Sequence, residues 1–309
     1  MSKVKTIKTT VAEIGYEESG SELHLPVVLL HGFPDDVRTW DGVIERLSDL
    51  QIRILRPYLR GYGPTGVFFE SARSGQVAAL AQDLLDFIDA LRLGSILVVG
   101  HDWGARAAQV AAMLAPHKLR GMVTIASCVH QSAPYIDTYL RQNHAFWYQL
   151  FFLTPQGERT LEDDRIVLCR YLWRTWSPTW NFPEQEYASV TESFQSPQFV
   201  QTVTHYYRHR WNAAAGAAYY QSQDQIARTA PPVAVPHTFI CGSADACTLV
   251  DTSENLDRYY MGGYNRIVVE GAGHFVQRER PEIVAEQVRT MLRALGVSRE
   301  WREVKAHLG

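Results

Sequence analysis

The fold is decided by the stretch Ile96-Leu97-Val98-Val99-Gly100-His101-Asp102-Trp103-Gly104-Ala105-Arg106. A short apolar run, typical of a buried strand, leads directly into a helix-forming segment. The residue between them, Asp102, lies two positions from a glycine on either side. So sharp a turn crowds its neighbours, so the flanking residues must be small and the central residue is strained. The pattern therefore predicts a turn that presents the Asp102 side chain at the end of the strand.

Asp102 has two interpretations. Aspartate is a common helix N-cap, and a cap here would need no further role. Alternatively the carboxylate is a nucleophile, which the partial positive charge and free N–H groups of the following helix hold ionised and aimed. Three further segments of the chain favour the nucleophile, because they fall in the order that such chemistry needs.

Strand and helix signals alternate on both sides of this turn. Apolar runs bounded by Gly, Pro or Asp predict strands at residues 25–30, 52–55, 95–99, 122–125, 235–240 and 266–269. Helix-like segments lie at residues 40–50, 76–91, 105–114 and 283–295. The alternation predicts an α/β fold with a mostly parallel, doubly wound sheet.

A central stretch has a different residue pattern. From residue 130 to residue 230 the strand pattern stops, and aromatic residues accumulate in segments of helical length. The strand pattern resumes after Pro231, Pro232 and Pro236, which cannot continue a helix. We therefore predict a core domain at 1–129 and 231–309, interrupted by a helical cap domain at 130–230.

Composition excludes several classes of partner. Of the 309 residues, 46% are apolar and 20% are charged, which is the composition of a globular enzyme. The net charge is -3 and Lys and Arg are not clustered, so we expect neither nucleic-acid nor membrane partners. No apolar run approaches the roughly 20 residues of a membrane span, and we expect a cytoplasmic protein. The oligomeric state stays open, a homodimer being one alternative.

The cysteines predict neither a metal site nor disulfides. Cys128, Cys169, Cys241 and Cys247 lack the paired spacing and the histidine neighbours of a zinc site, and four are too few for a disulfide framework in so long a chain. We interpret them as small buried hydrophobic residues. No metal or organic cofactor is expected, since side chains alone can supply the nucleophile, base and proton donors.

A general base and its acid partner follow the nucleophile along the chain. His274 lies in the glycine-rich run Gly271-Ala272-Gly273-His274-Phe275, directly after the last predicted strand. Loops at the carboxyl edge of a parallel sheet are where such a base is expected. Asp245 follows the preceding strand, and the rival acid position after residue 125 carries no carboxylate. We predict that Asp245 orients His274, with Asp251 as the weaker alternative.

The segment His31-Gly32-Phe33-Pro34 ends an earlier strand. It resembles the loop of α/β-hydrolases whose backbone N–H joins the N–H after the nucleophile to form an oxyanion hole. The resemblance assigns the oxyanion hole to the N–H groups of Phe33 and Trp103. The Phe33-Pro34 bond is also a candidate for the cis form.

An aspartate nucleophile changes the reaction from that of a serine esterase. Attack of the carboxylate on a saturated carbon forms an alkyl-enzyme ester at Asp102. Water activated by His274 then splits that ester, while Asp245 holds the imidazole in place. The substrate needs a leaving group on saturated carbon, so epoxides and alkyl halides are the candidates.

Beyond these motifs, the chain resembles the soluble epoxide hydrolase family over nearly its whole length. The matching segments are His31-Gly32-Phe33-Pro34, Gly61-Tyr62-Gly63, Gly100-His101-Asp102-Trp103-Gly104, Phe146-Trp147-Tyr148-Gln149-Leu150, Tyr206-Tyr207-Arg208, Asp245 and Gly273-His274-Phe275. The resemblance implies hydrolysis of a small apolar epoxide to a diol, with Tyr148 and Tyr207 donating a proton to the epoxide oxygen. Tyr206 and Tyr207 point about 100° apart on a helix, so only one faces the site, and the family match selects Tyr207.

Two other functions compete with this interpretation. The first is a haloalkane or haloacid dehalogenase, in which the indole of Trp103 would bind the halide, although Phe33 stands where many haloalkane dehalogenases have a second donor. The second is a binding protein that keeps the fold without the chemistry. Such a protein would have lost the nucleophile, the base or the acid, and all three are present. Arg60 and Arg106 are interpreted as solvated or structural.

Overall fold

One sheet of nine strands forms the centre of the residues that our computed structural model describes, which are 3–131, 133 and 135–296. The strands are β1 (Lys5–Lys8), β2 (Ala12–Ser19), β3 (Leu25–Leu30), β4 (Ile52–Pro57), β5 (Gly66–Val67), β6 (Ile96–His101), β7 (Leu119–Ile125), β8 (His237–Gly242) and β9 (Tyr264–Val269). Their spatial order is β1-β2-β4-β3-β6-β7-β8-β9, and β5 pairs with β2. The neighbouring strands in the series β4-β3-β6-β7-β8-β9 are all parallel. At one edge β2 pairs antiparallel with β1, β4 and β5.

Helices connect the parallel strands and fill a long insertion between β7 and β8. They are α1 (Asp41–Arg46), α2 (Val77–Ala90), α3 (Trp103–Leu114), α4 (Ile136–Ala145), α5 (Trp147–Phe151), α6 (Pro155–Asp163), α7 (Arg165–Trp176), α8 (Glu184–Ala188), α9 (Phe199–Arg210), α10 (Gln221–Thr229), α11 (Val276–Glu279) and α12 (Pro281–Ala294). Among the described residues, no helix is both long and apolar enough to cross a lipid bilayer. We refer to α4 through α10 as the inserted helices.

The core lies on both faces of the sheet. Alternate residues of a strand point to opposite faces, so β3 contributes Val27 and Leu29 to one apolar cluster and Val28 and Leu30 to the other. The first cluster includes residues of α1 and α12, and the second includes residues of α2 and α3. Helices therefore cover both faces, which is the doubly wound arrangement predicted from the sequence.

Two features differ from the sequence prediction. The helix predicted at 40–50 is a 3-10 turn at Val37–Trp40 followed by α1, which ends at Arg46. Beyond it Ser48 and Asp49, whose side chains compete for backbone hydrogen bonds, favour turns over helix. The antiparallel strands β1, β2 and β5 were not predicted, because the Glu, Gly and Ser residues of β2 interrupt its apolar pattern.

A buried ion pair joins the loops that follow β3 and β9. Arg278 on α11 donates two hydrogen bonds to Asp35, from Nε at 2.8 Å and from Nη2 at 2.6 Å. The side chains are 3% and 0% exposed. The guanidinium also lies 4.8 Å from the ring centroid of Trp173 on α7, whose indole N–H donates to the carbonyl oxygen of Pro34 at 2.7 Å. The pair therefore fixes both loops against the inserted helices.

We predict that Arg278→Met destabilises the fold strongly. The substitution leaves the Asp35 carboxylate buried without its cation, which costs roughly 3–5 kcal/mol of unfolding free energy. Chemical denaturation followed by circular dichroism measures this loss. The matched control is Arg289→Met, because Arg289 forms its ion pair with Asp49 on the surface, where such pairs contribute little. Equal effects of the two substitutions would contradict the structural role of the buried pair.

Candidate active site

The turn between β6 and α3 forces Asp102 into an unusual backbone conformation, with φ 49° and ψ -114°. A Cβ atom at Gly100 would lie 2.6 Å from the carbonyl oxygen of Gly104. One at Gly104 would lie 2.4 Å from the carbonyl oxygen of His31. Only glycine fits at either position, as the sequence predicted for a sharp strand-to-helix turn.

The Asp102 side chain does not cap the helix that it precedes. Its Oδ1 atom accepts a hydrogen bond from the Phe33 N–H at 2.9 Å, and the N–H of Trp103 also stabilises the charged carboxylate. Its Oδ2 atom lies 3.4 Å from the Ser127 hydroxyl, which donates to it. Oδ1 is thus held by the Phe33 N–H, the Trp103 N–H acts on the same carboxylate, and Oδ2 contacts Ser127.

Opposing effects set the pKa of Asp102. Burial raises the pKa of this carboxyl above its usual value, because a charge is costly away from water. The His274 ring and the N–H groups of Phe33 and Trp103 act in the opposite direction. The effect of burial on the pKa of Asp102 is therefore larger than the stabilisation of the charged form that we expected from the helix N-terminus.

His274 and Asp245 form a buried pair. The Nδ1 atom of His274 lies 2.9 Å from Oδ2 of Asp245, and both side chains are fully buried. The other oxygen, Oδ1, accepts hydrogen bonds from the N–H groups of Cys247 and Thr248, each at 2.8 Å. The alternative acid, Asp251, instead pairs with Arg141 at the surface, at 2.6 Å. The geometry therefore brings Asp245, and not Asp251, to His274.

The Nε2 atom of His274 faces the nucleophile. It lies 3.8 Å from Oδ2 of Asp102 and is buried without a hydrogen-bond partner among the described residues. Burial lowers the pKa of His274, but the charges of Asp245 and Asp102 together raise it above its usual value. The ring can therefore accept a proton at Nε2 while Asp245 holds Nδ1.

The inserted helices anchor the loop that carries His274. The hydroxyl of Ser177, directly after α7, accepts from the His274 N–H at 2.8 Å and donates to Glu279 at 2.7 Å. Glu279 also accepts from the Gly273 N–H at 2.8 Å. A Cβ atom at Gly273 would lie 2.4 Å from the Cα atom of Ser177, so the glycine permits this contact.

The two adjacent tyrosines of α9 point in different directions. The Tyr207 hydroxyl accepts a hydrogen bond from the indole N–H of Trp103 at 3.2 Å. The Tyr206 ring stacks on Trp103 with centroids 4.5 Å apart, and its hydroxyl donates to the carbonyl oxygen of Arg60 at 3.5 Å. The structure therefore places the Tyr207 hydroxyl, and not that of Tyr206, beside the residue that follows the nucleophile.

Tyr148 on α5 packs against Tyr207. Their ring centroids are 5.4 Å apart, and both side chains are at most 2% exposed. The Tyr148 hydroxyl accepts from the side-chain amide of Gln149 at 2.9 Å and lies 3.4 Å from Sγ of Cys247. Burial raises the pKa of both phenols well above the usual value, so both stay protonated.

A cavity of about 570 Å³ with a largely apolar lining, which also includes Arg141 and His144, lies near these residues, although Asp102, His274, Tyr148 and Tyr207 do not line it. Trp176, at the end of α7, lines the cavity together with Leu140, Trp147 and Ala246. Its ring also packs on His274, with centroids 5.0 Å apart. A molecule in the cavity would therefore contact a side chain that touches the base.

Several residues of the site were not foreseen from the sequence. Ser127 contacts Asp102, and Ser177 contacts His274. Gln149 and Trp176 both contact Tyr148. Gln149 stands next to Tyr148, so its position was available, but Ser127, Trp176 and Ser177 carry no local motif. The four cysteines are free and buried, and the cis form of Phe33-Pro34 is confirmed.

Comparisons with known proteins agree with this architecture. A family model described as alpha/beta hydrolase fold matches residues 26–281. Epoxide hydrolase A of Mycobacterium tuberculosis is 25% identical to the chain, with 90% of this chain and 93% of that protein covered. An epoxide hydrolase of Caballeronia sordidicola is 25% identical, with coverage of 92% and 94%. A crystal structure of a candidate epoxide hydrolase from Klebsiella pneumoniae is 28% identical and has a TM-score of 0.86, with coverage of 94% and 97%.

The fold class predicted from the sequence is therefore confirmed. The mostly parallel sheet with helices on both faces agrees with the family description. The matched residues run from β3 to the start of α12 and so include both the turn at Asp102 and the loop at His274. Because that match covers well over half of its length, the chain belongs to the alpha/beta hydrolase fold family.

Proposed function

We propose that this protein hydrolyses epoxides to vicinal diols through a covalent ester on Asp102. One observation carries the proposal: the turn position holds a carboxylate, the next residue donates to the Tyr207 hydroxyl, and Tyr148 packs against Tyr207. The relatives named as epoxide hydrolases support the same reaction. An opening epoxide needs a proton for its oxygen, and tyrosine hydroxyls can provide it.

In the first step Oδ2 of Asp102 attacks an epoxide carbon. Oδ1 is held by the Phe33 N–H at 2.9 Å, whereas Oδ2 accepts only the longer hydrogen bond from Ser127 at 3.4 Å, so Oδ2 is the oxygen that reacts. A new carbon–oxygen bond forms, the ring carbon–oxygen bond breaks, and its electron pair passes to the epoxide oxygen. Tyr207 accepts a hydrogen bond from the Trp103 indole, so its phenol proton remains available for that oxygen. Tyr148 accepts from Gln149, and its own proton would turn from the weak acceptor Sγ of Cys247 to the epoxide oxygen.

In the second step water attacks the carbonyl carbon of the Asp102 ester, and Nε2 of His274 takes its proton. The charge that develops on Oδ1 is stabilised by the N–H groups of Phe33 and Trp103. The ester bond then breaks, and His274 returns the proton to the departing diol oxygen. The second proton of the attacking water leaves the regenerated Asp102 carboxyl and restores the phenol that gave up its proton in the first step. Esterification removes the negative charge of Asp102, one of the charges that raise the pKa of His274, so the imidazole becomes a neutral base when it is needed.

The surroundings favour an epoxide with an apolar body. Aromatic rings pack around the two phenols, and Trp176 connects the base to the apolar cavity of about 570 Å³. Apolar surface of this kind is typical of sites that bind hydrophobic ligands. Water and one such epoxide are the only reactants in the two steps.

The structure does not favour the dehalogenase alternative. A halide site would use the indole N–H of Trp103, but that group donates to the Tyr207 hydroxyl. The second donor position holds Phe33, whose side chain carries no N–H. The phenols can protonate an alkoxide leaving group, whereas a departing halide needs no proton.

The activity is tested by the release of diol from styrene oxide. We expect wild-type protein to form the diol and Asp102→Asn to lose activity by about 10⁴-fold or more, because the amide is a poor nucleophile. Halide release from 1-bromobutane is measured in parallel. Halide without diol from the wild-type protein would show that the proposed reaction is wrong.

We expect His274→Gln to trap the ester. The variant retains the nucleophile and the proton donors, so the first step proceeds, but without the base the second step slows by a factor on the order of 100 or more. Intact-protein mass spectrometry after addition of styrene oxide should show one added substrate mass. Peptide mapping should place it on Asp102. An unmodified variant would contradict a covalent route.

A matched pair of variants tests the proton donors. Tyr207→Phe should slow formation of the ester on the order of 100-fold, since one of two donors is lost. Stopped-flow tryptophan fluorescence measures that rate, because Trp103 and Trp176 lie in the site. Tyr206→Phe removes a hydroxyl that points to the Arg60 carbonyl and should change the rate little. A larger effect at Tyr206 would reverse the assignment.

A further inference from the structure

Two arginines that the proposed reaction does not use lie beside the site. Arg106, on α3, donates from Nη1 to the carbonyl oxygen of Cys128 at 3.0 Å. Arg210, at the end of α9, donates from Nη2 to Oε1 of Gln131 at 2.9 Å. Cys128 and Gln131 belong to the same short segment after β7, so both guanidinium groups bind one segment of the chain.

Each guanidinium packs on an aromatic ring that contacts a proposed proton donor. Arg106 lies 5.7 Å from the ring centroid of Trp103, whose indole N–H donates to the Tyr207 hydroxyl. Arg210 lies 5.0 Å from the ring centroid of Phe146, which packs edge-on against Tyr148. The two cations are therefore each one ring away from the point where the epoxide oxygen would be protonated.

Neither arginine forms an ion pair with a carboxylate of the described residues, and their hydrogen-bond partners are neutral oxygens. The Nε atom of Arg106 is buried and has no hydrogen-bond partner among the described residues. By contrast, the buried Arg60 and Arg278 each bind an aspartate through two hydrogen bonds. The fold thus pairs Arg60 and Arg278 directly with carboxylates, whereas the opposite charge nearest to Arg106 and Arg210, that of Asp102, acts on them without a hydrogen bond among the described residues.

Such an arrangement is unfavourable in the ligand-free protein. Burial lowers the pKa of Arg106 to about 9, and the nearby charge of Arg210 contributes to the lowering. Burial likewise lowers the pKa of Arg210. Removing cations from water is costly unless an opposite charge compensates. An anion that binds here during turnover would supply that charge.

We propose that Arg106 and Arg210 bind a carboxylate group of the substrate, so that the preferred epoxides carry a carboxylate near the oxirane ring as well as an apolar body. Guanidinium groups match carboxylates in geometry and donate charge-assisted hydrogen bonds. They also offset the repulsion that an anionic substrate meets from Asp102. The reaction of such substrates rests on the proposed function, whereas binding of the carboxylate does not.

Binding is tested without turnover, with 3-phenylpropionate and its neutral amide, 3-phenylpropionamide. Isothermal titration calorimetry on the wild-type protein should show that the carboxylate binds about 10-fold more tightly or better, as charge-assisted bonds require. Equal affinities, or no measurable binding of the carboxylate, would overturn the proposal. This comparison needs no variant, so a folding defect cannot obscure it.

Variants locate the site. Arg106→Gln and Arg210→Gln should each bring the affinity ratio of carboxylate to amide close to one, with thermal melting as the check on folding. The control is Arg208→Gln, which removes a charge from the same helix but breaks an ion pair with Glu158 instead. The control should keep the wild-type ratio. Equal loss of preference in all three variants would contradict a site formed by Arg106 and Arg210.

Turnover then separates this inference from the proposed function. We expect a higher kcat/KM for 3-phenylglycidate than for 3-phenylglycidamide, with the difference mainly in KM. If both epoxides give diol without a preference for the anion, the arginine proposal fails and epoxide hydrolysis stands. If the carboxylate binds preferentially but neither epoxide gives diol, the anion site stands and the proposed reaction fails.

Discussion

The whole site depends on a close approach of three backbone segments at the end of β6. A Cβ atom at Gly104 would collide with the carbonyl oxygen of His31, and one at Gly32 would lie 2.5 Å from Cβ of Asp102. Because glycine occupies these positions, the strand, the helix and the loop after β3 can meet. That single contact places the Asp102 carboxylate against the Phe33 N–H at 2.9 Å. The Asp102 carboxylate and the Phe33 N–H are therefore one structural unit.

Charge links this unit to the base. Asp102, His274 and Asp245 form a buried row in which an imidazole stands between two carboxylates. Loss of the Asp102 charge on ester formation would lower the pKa of the imidazole without any movement of the chain. The same region holds two arginines that form no ion pair with a described carboxylate, which would suit an anionic substrate. In the proposed mechanism, electrostatics thus connects the nucleophile, the base and the choice of substrate.

The sequence predicted the parts of the site that depend on local pattern. The glycines around Asp102, the glycine-rich loop of His274 and the strand ends before Phe33 and Asp245 each follow from neighbouring residues. The structure brings these residues together, and the fold class is confirmed. The assignment of Tyr148 and Tyr207 came from family resemblance, since nothing local separates them from packing residues in so aromatic a segment.

Long-range contacts could not be predicted in this way. Ser177 holds the His274 loop across 97 positions of the chain, and Ser127 reaches Asp102 from the neighbouring strand. Arg106 was interpreted as solvated or structural, because its lack of a carboxylate partner is visible only in three dimensions.

The central claim is tested most directly by a single turnover of excess enzyme with styrene oxide in ¹⁸O-labelled water. A covalent route through Asp102 places ¹⁸O in the Asp102 carboxylate and none in the first diol formed; labelled diol with unlabelled Asp102 would contradict it.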